Sequence, residues 1–225
     1  MVHKFVSHGK KVLSISEKHG WLPGVKYTNL RNIKGVDFEK KGFLDIDWKN
    51  YSFEKHLSAV IERKPFLTIA RDVEDIYQLD SILKQAEVLK KYCEHVAIVP
   101  KDIRMNGNIT SLIPKEYILA YSVPTRYGGT QVSLNSFDRK VHLLGGRPDI
   151  QRSLGDKLDV FSIDGNRFTL DASFGYYFDG VRFVKNKINS YDYCLEESIR
   201  NISLIWKGYN SDFTTTSNFI YEGAI

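Results

Sequence analysis

Short apolar strands that each end in an acidic or polar residue alternate with helical patterns through the middle of the chain. That alternation predicts an α/β fold with parallel strands. The strands are apolar almost throughout, as expected when both faces of a sheet are covered. Two architectures fit, an open doubly wound sheet and a barrel. A full eight-fold barrel takes about 250 residues, and this chain has 225. Neither a GxGxxG nor a P-loop pattern occurs, which weakens the nucleotide-cofactor versions of the open sheet. The expected fold is therefore TIM-barrel-like, a small or irregular (β/α) barrel.

Phe43–Trp48 (FLDIDW) is the first clear strand. Residues 53–63 follow with Phe53, Leu57, Val60 and Ile61 at helical spacing, ended by Pro65. Phe66–Arg71 is the next strand, closed by Asp72. Asp75–Tyr92 then carries Ile76, Leu79, Ile82, Leu83, Ala86, Leu89 and Tyr92 on one helical face, with Asp72 or Asp75 as its N-cap. His95–Pro100 is a third strand, before a loop rich in Asn, Gly and Pro over 101–114. Tyr117–Val123 and Val141–Leu144 are the fourth and fifth strands. A short helix over 149–154 starts near Pro148, and Leu158–Ile163 is the sixth strand, ending at Asp164. Beyond Asn166, Tyr176–Val184 reads as a hairpin around Asp179-Gly180, and Tyr191–Trp206 as a last helix. One domain is expected over 1–225, with a core at about 21–206 and a polar, loosely held tail at 210–225.

Composition narrows the class. Hydrophobic residues make up 42% and charged residues 26%, which suits a folded domain. No apolar run approaches a membrane span, so no membrane partner is expected. Met1–Lys11 is basic, and no apolar stretch of signal-peptide length follows it, which points to a cytoplasmic protein. Cys93 and Cys194 are expected as reduced thiols, and without a CxxC pair no zinc site is expected. A net charge of +5 permits an acidic partner such as nucleic acid, although the Lys and Arg residues are scattered.

In a parallel α/β fold the chemistry sits at the C-terminal ends of the strands. There the sequence places Asp45 and Asp47, Asp72, Lys101 and Asp102, the loop from Ser122 through Gly128-Gly129 to Thr130, the turn Gly145-Gly146, and Asp164 with Asn166 and Arg167. Carboxylates in such a ring can serve as nucleophile, general base and hydrogen-bond acceptor. Each also has a plain structural reading. One of Asp45 and Asp47 points outward, Asp72 caps a helix, Asp164 closes a turn, and Gly128-Gly129 is a loop or a lid. His142 reads as a core histidine, and His56 and His95 as surface residues. Trp21, Trp48, Tyr121 and Tyr127 are candidates to stack on a base, with core packing the default for Trp48 and Tyr121.

The phrases Phe43-Leu-Asp-Ile-Asp-Trp-Lys-Asn-Tyr51, Tyr121-Ser-Val-Pro-Thr125 with Gly128-Gly129, and Val141-His-Leu-Leu-Gly-Gly146 resemble those of an uncharacterised phage and archaeal family, and the order of motifs resembles the tRNA-guanine transglycosylases. The chain resembles that superfamily over about residues 21–175. It also resembles the phage and bacterial relatives that place deazaguanine bases in DNA, and an uncharacterised phage and archaeal family. The resemblance implies a phage-encoded protein of the host cytoplasm, a nucleophile at Asp164, a general base at Asp45 or Asp47, and a base-reading carboxylate at Asp72. Ser122, Gly128, Gly129, Gly145, Gly146, Asn166 and Arg167 would line the substrate. No cofactor is implied. Asp164 would attack C1′ of a guanosine, and a deazaguanine base would then displace it. The family's zinc-binding cysteine cluster, its Ser-Gly-Gly-Phe phrase and its tRNA-gripping insertions are absent, which favours DNA over tRNA as the nucleic-acid partner. Basic residues Lys49, Arg71, Arg126 and Arg147 would hold phosphates at the rim. Such relatives often pair, so a homodimer or a partner subunit is also implied. The alternatives are a barrel hydrolase acting on a small nucleoside or sugar, and a non-catalytic binding module such as a phage accessory protein.

Overall fold

The computed structural model describes residues 1–125, 128–187 and 190–210. Arg126, Tyr127 and most of the expected tail (211–225) lie outside the described residues.

Eight parallel strands close into a barrel, each paired with the next in sequence. They are β1 (His3–Ser7), β2 (Leu22–Lys26), β3 (Phe43–Asp45), β4 (Leu67–Ile69), β5 (His95–Ile98), β6 (Ile118–Ser122), β7 (Val141–Leu144) and β8 (Val160–Asp164). Closure comes from β8 pairing with β1, with Asp164 beside Phe5. The (β/α) barrel expected from the alternation is the observed fold.

It is irregular in its helical layer. Full helices α1 (Lys10–Glu17), α2 (Phe53–Arg63) and α3 (Leu79–Lys90) follow β1, β3 and β4. After β5 the helix shrinks to a single turn, α4 (Ile109–Leu112), and after β2 and β6 only 3-10 segments remain. Beyond these come α5 (Pro148–Gly155) after β7 and α6 (Arg167–Ser173) after β8. Shortened crossovers let a closed barrel fit in a chain of this length.

Two strands escape the sequence pattern. β1 reads His-Lys-Phe-Val-Ser and β2 reads Leu-Pro-Gly-Val-Lys. Pro and Gly are poor strand residues, yet Gly24 lets β1 approach closely. A Cβ there would lie 2.5 Å from Ser7 Oγ on the neighbouring strand. The expected core start near residue 21 therefore moves back to His3. At the other boundary, β3 stops at Asp45 rather than Trp48. The Asp45 carboxylate accepts from Ile46 N–H, and Asp47 accepts from Lys49 N–H at 3.3 Å, turning the chain away from the strand. Trp48 is consequently 51% exposed, not core.

The barrel interior is plugged by Phe5, Phe43, Leu67, Ile69, Ala97, Val99, Ile118 and Ala120. Alternate residues of the same strands, among them Val6, Val25, Leu44, Ile98, Leu119 and Ile163, face the second and larger core beneath the helices. His56, expected at the surface, is fully buried in that outer core. It lies against Tyr27, is 2.8 Å from Thr68 Oγ1, and is 3.2 Å from the Tyr51 hydroxyl. Thr68 in turn donates to Leu44 carbonyl.

After the barrel closes, β9 (Tyr176–Phe178) and β10 (Phe183–Lys185) form the expected hairpin, its turn held by Val181 and Arg182 N–H groups on the Asp179 carboxylate. Helix α7 (Tyr191–Ile205) packs against α1, α6 and β9. Cys93 and Cys194 are both free thiols. Among the described residues no helix is long and apolar enough to cross a membrane.

Candidate active site

Strand direction brings the C-terminal ends of all eight strands to one mouth of the barrel. Odd positions of β3 face inward, so Phe43 fills the interior and Asp45 emerges at the mouth. Its register partner on β2 is Lys26. Burial is the main cause that lifts the Asp45 carboxyl to about 7, and the negative charge of Asp164 is the next. Lys26 and the Ile46 N–H oppose that shift, and Asp72 adds to it more weakly. Asp47 lies beyond the end of the strand and closes its own turn, whereas Asp45 is the strand-end carboxyl that feels the charge of Asp164.

Asp164 ends β8 and is held firmly. Gly145 N–H donates to its Oδ1 at 2.7 Å, and His142 Nε2 lies 3.5 Å from the same oxygen. Its Oδ2 has no hydrogen-bond partner among the described residues, and the side chain is 13% exposed. Gly145 can offer its amide because the turn passes through left-handed backbone, with φ of +64° at Gly145 and +91° at Gly146. A Cβ on Gly146 would also strike Val123 at 2.4 Å. Gln151 clamps the turn to the strand end, donating to Gly145 carbonyl (2.8 Å) and Asp164 carbonyl (2.7 Å). The expected glycine pair is therefore a turn with a task, presenting an N–H to a carboxylate.

His142 is a core histidine as expected, fully buried and against Phe43, with Nδ1 2.8 Å from Ser162 Oγ. Its Nε2 is buried without a hydrogen bond, facing Asp164.

Asp72 is buried and paired with Lys101 Nζ at 2.6 Å. Burial raises its carboxyl and Lys101 opposes the rise. It caps nothing. Asp75 takes that role, accepting from Tyr77 N–H at 3.1 Å. Asp102 accepts from Ile76 N–H and binds the Arg104 guanidinium, which also reaches Asp75 at 2.6 Å.

The remaining expected residues divide. Ser122 sits at the end of β6, its backbone tied to Thr130. Gly128 and Gly129 lie beside the end of β6. Thr125 and Gly128 exchange backbone bonds, and a Cβ on Gly129 would meet Pro124 Cα at 2.6 Å. Asn166 starts α6, where its carbonyl accepts from Thr169, and the Arg167 guanidinium pairs with Asp171 at 2.7 Å. At the rim, Lys49 lies over the Trp48 ring and Arg147 pairs with Asp149 at 3.0 Å.

Sequence reasoning missed three groups at this mouth. Lys26 was hidden by the Pro-Gly pair that disguises β2. Gln151 is an ordinary helix residue until the turn it clamps is known. Ser7 Oγ and His8 Nδ1, at the end of β1, are buried without hydrogen bonds, and no linear pattern marks them. Among the described residues no group of three His, Cys, Asp or Glu side chains could hold a metal ion.

The arrangement supplies a carboxylate with one free oxygen, a second carboxyl poised near neutral pH, and lysines beside both Asp45 and Asp72. The fold is similar to the crystal structure of the YdjI aldolase from Escherichia coli K12, with a TM-score of 0.54 and 11% identity over 94% of this chain and 92% of that one. No curated protein matches the chain. The model of a family of unknown function, DUF6610, matches residues 16–207, and the chain belongs to that family.

Proposed function

We propose that the protein is a barrel enzyme that exchanges a base at an anomeric carbon, a pentosyltransferase of the guanine transglycosylase type. The observation that carries this reading is the coupling of Asp45 and Asp164. One carboxyl is raised to about 7, and the other has its orientation fixed by Gly145 N–H. A fixed carboxylate beside a carboxyl that holds its proton near neutral pH is what a double displacement at C1′ requires.

Asp164 Oδ2 attacks C1′ of a guanosine, and the bond from C1′ to the base breaks. The departing guanine takes the proton of Asp45. An incoming deazaguanine then attacks C1′ through its ring nitrogen, gives its proton to Asp45, and releases Asp164. Two inversions retain the configuration at C1′. Asp72, fixed by Lys101, is the carboxylate placed to read the edge of the base. DNA is the proposed polymer, ahead of tRNA, because the insertions with which the transglycosylases grip tRNA are missing, and a paired base would have to be flipped out to reach the two carboxyls.

Incubation with labelled guanine and either DNA or tRNA, beside an Asp164→Ala control, tests the proposal. Label entering one polymer only when Asp164 is intact is the expected result and names the substrate. Release of free guanine without incorporation would instead identify a hydrolase built on the same two carboxyls. No exchange and no release would overturn both.

A further inference from the structure

We propose that the opposite end of the barrel carries a second ligand site, for an organic phosphate of nucleotide size. A cavity of about 320 Å³ lies there, lined by Lys40, Lys64, Pro65, Lys91, Tyr92, Cys93 and Glu94. These residues immediately precede β3, β4 and β5, so the cavity opens on the N-terminal face, away from Asp45 and Asp164. The inference does not depend on the proposed base exchange.

Three lysines converge on this hollow against one acidic residue of its lining. Lys64 reaches Glu39 at 3.4 Å. Lys40 and Lys91 have no acidic partner among the described residues. The wall between them is apolar, made by buried Pro65, the half-exposed Tyr92 ring and the Cys93 side chain. Cys93 Sγ donates to Leu89 and His95 carbonyls, and burial pushes the thiol up to about 12. It is therefore a neutral wall and not a nucleophile. A cationic rim on an aromatic and apolar wall suits a ligand with a phosphate at one end and a flat ring at the other.

Backbone conformation is the second, independent observation. Lys40 (φ 56°) and Lys64 (φ 41°) are the non-glycine residues with positive φ among the described residues. Both line this one cavity, and Lys40 N–H donates to Lys64 carbonyl at 2.8 Å. Glycine would occupy either position without strain, and it is the common residue where a helix ends in left-handed backbone, as α2 does at Lys64. Two lysines therefore stand at this pocket in backbone that favours glycine.

The substitutions that remove the cations are thus also the ones that relax the backbone. The full chain is titrated calorimetrically with adenosine 5′-monophosphate, adenosine and inorganic phosphate, as wild type and as the K40G/K64G double variant. Wild type is expected to bind the nucleotide saturably at one site, at least tenfold more tightly than either fragment. The double variant is expected to lose at least tenfold in nucleotide affinity while melting at the same or a higher temperature. An absence of saturable binding by wild type, or equal binding by the double variant, would overturn the site. Phosphate alone binding as tightly as the nucleotide would overturn the role of the Tyr92 wall.

Discussion

Asp45 ends β3 and Asp164 ends β8, and the charge of Asp164 is, after burial, the strongest influence lifting the Asp45 carboxyl to about 7. The two are separated by more than a hundred residues of sequence and joined through the barrel mouth. Removing the Asp164 charge in Asp164→Asn should therefore move the Asp45 titration downward. Carbon-13 NMR of the side-chain carboxyls would follow it directly. The same substitution keeps an acceptor for Gly145 N–H, so the fold should survive while base exchange falls by about a thousandfold or more. An unmoved Asp45 titration would sever the proposed coupling.

A raised carboxyl leaves a signature in stability. The folded state holds the Asp45 proton up to about 7, whereas the unfolded chain releases it near the ordinary aspartate value of 3.8. Across that window the unfolded state binds fewer protons, so stability falls as pH rises. Asp45→Asn should be more stable than wild type by about 2–4 kcal/mol at pH 8, and equal to it near pH 4. Urea unfolding at the two pH values would show the difference. Catalysis should move the other way, with the Asn variant losing about a hundredfold or more.

The buried pair of His56 and Thr68 predicts an opposite slope. Burial lowers His56 to about 4 from 6.5. Below 6.5 the unfolded chain takes up a proton that the folded state refuses, so stability drops as pH falls from 6.5 toward 4. His56→Gln should remove that acid sensitivity. Thr68→Val strands both the His56 ring nitrogen and Leu44 carbonyl, and should cost about 1–3 kcal/mol at pH 7. Chemical denaturation of the two variants over the acid range provides the check.

Trp48 offers an optical test of the mouth. It is 51% exposed, whereas Trp21 and Trp206 are each 3% exposed. Iodide should quench one component of the tryptophan emission, and Trp48→Phe should abolish that component while changing stability by less than about 0.5 kcal/mol. Single-stranded DNA bound over the mouth should protect Trp48 from iodide. Unchanged quenching at saturating DNA would place the polymer elsewhere.

Much of the barrel was legible because strands covered on both faces are written as plain apolar runs, as in Val96–Ile98 and Leu119–Tyr121. β1 and β2 were not, since charges, a proline and a glycine occupy them, and the glycine reflects a contact with Ser7 that only the neighbouring strand explains. The glycine turn and Asp164 were readable as strand ends. The choice between Asp45 and Asp47 was not, because alternation persists on paper after the strand has physically stopped. The partner of Asp72 is Lys101, on the segment after the next strand, and such pairs exist only once the sheet is assembled. Trp48 was misplaced because the strand stops at Asp45, and His56 because α2 turns His56, Ala59 and Val60 inward and leaves Ile61 exposed.

The seam between β1 and β8 has a consequence for synthesis. Asp164 takes its place beside Phe5, the start of the chain against a segment made much later. A nascent polypeptide can assemble strands in order as they emerge, but the last seam waits for the final strand. The mouth acquires Asp164 only at that moment. A partly synthesised or truncated chain would hold Asp45 without the charge that tunes it, so the coupling of the two carboxyls waits until the circle is complete.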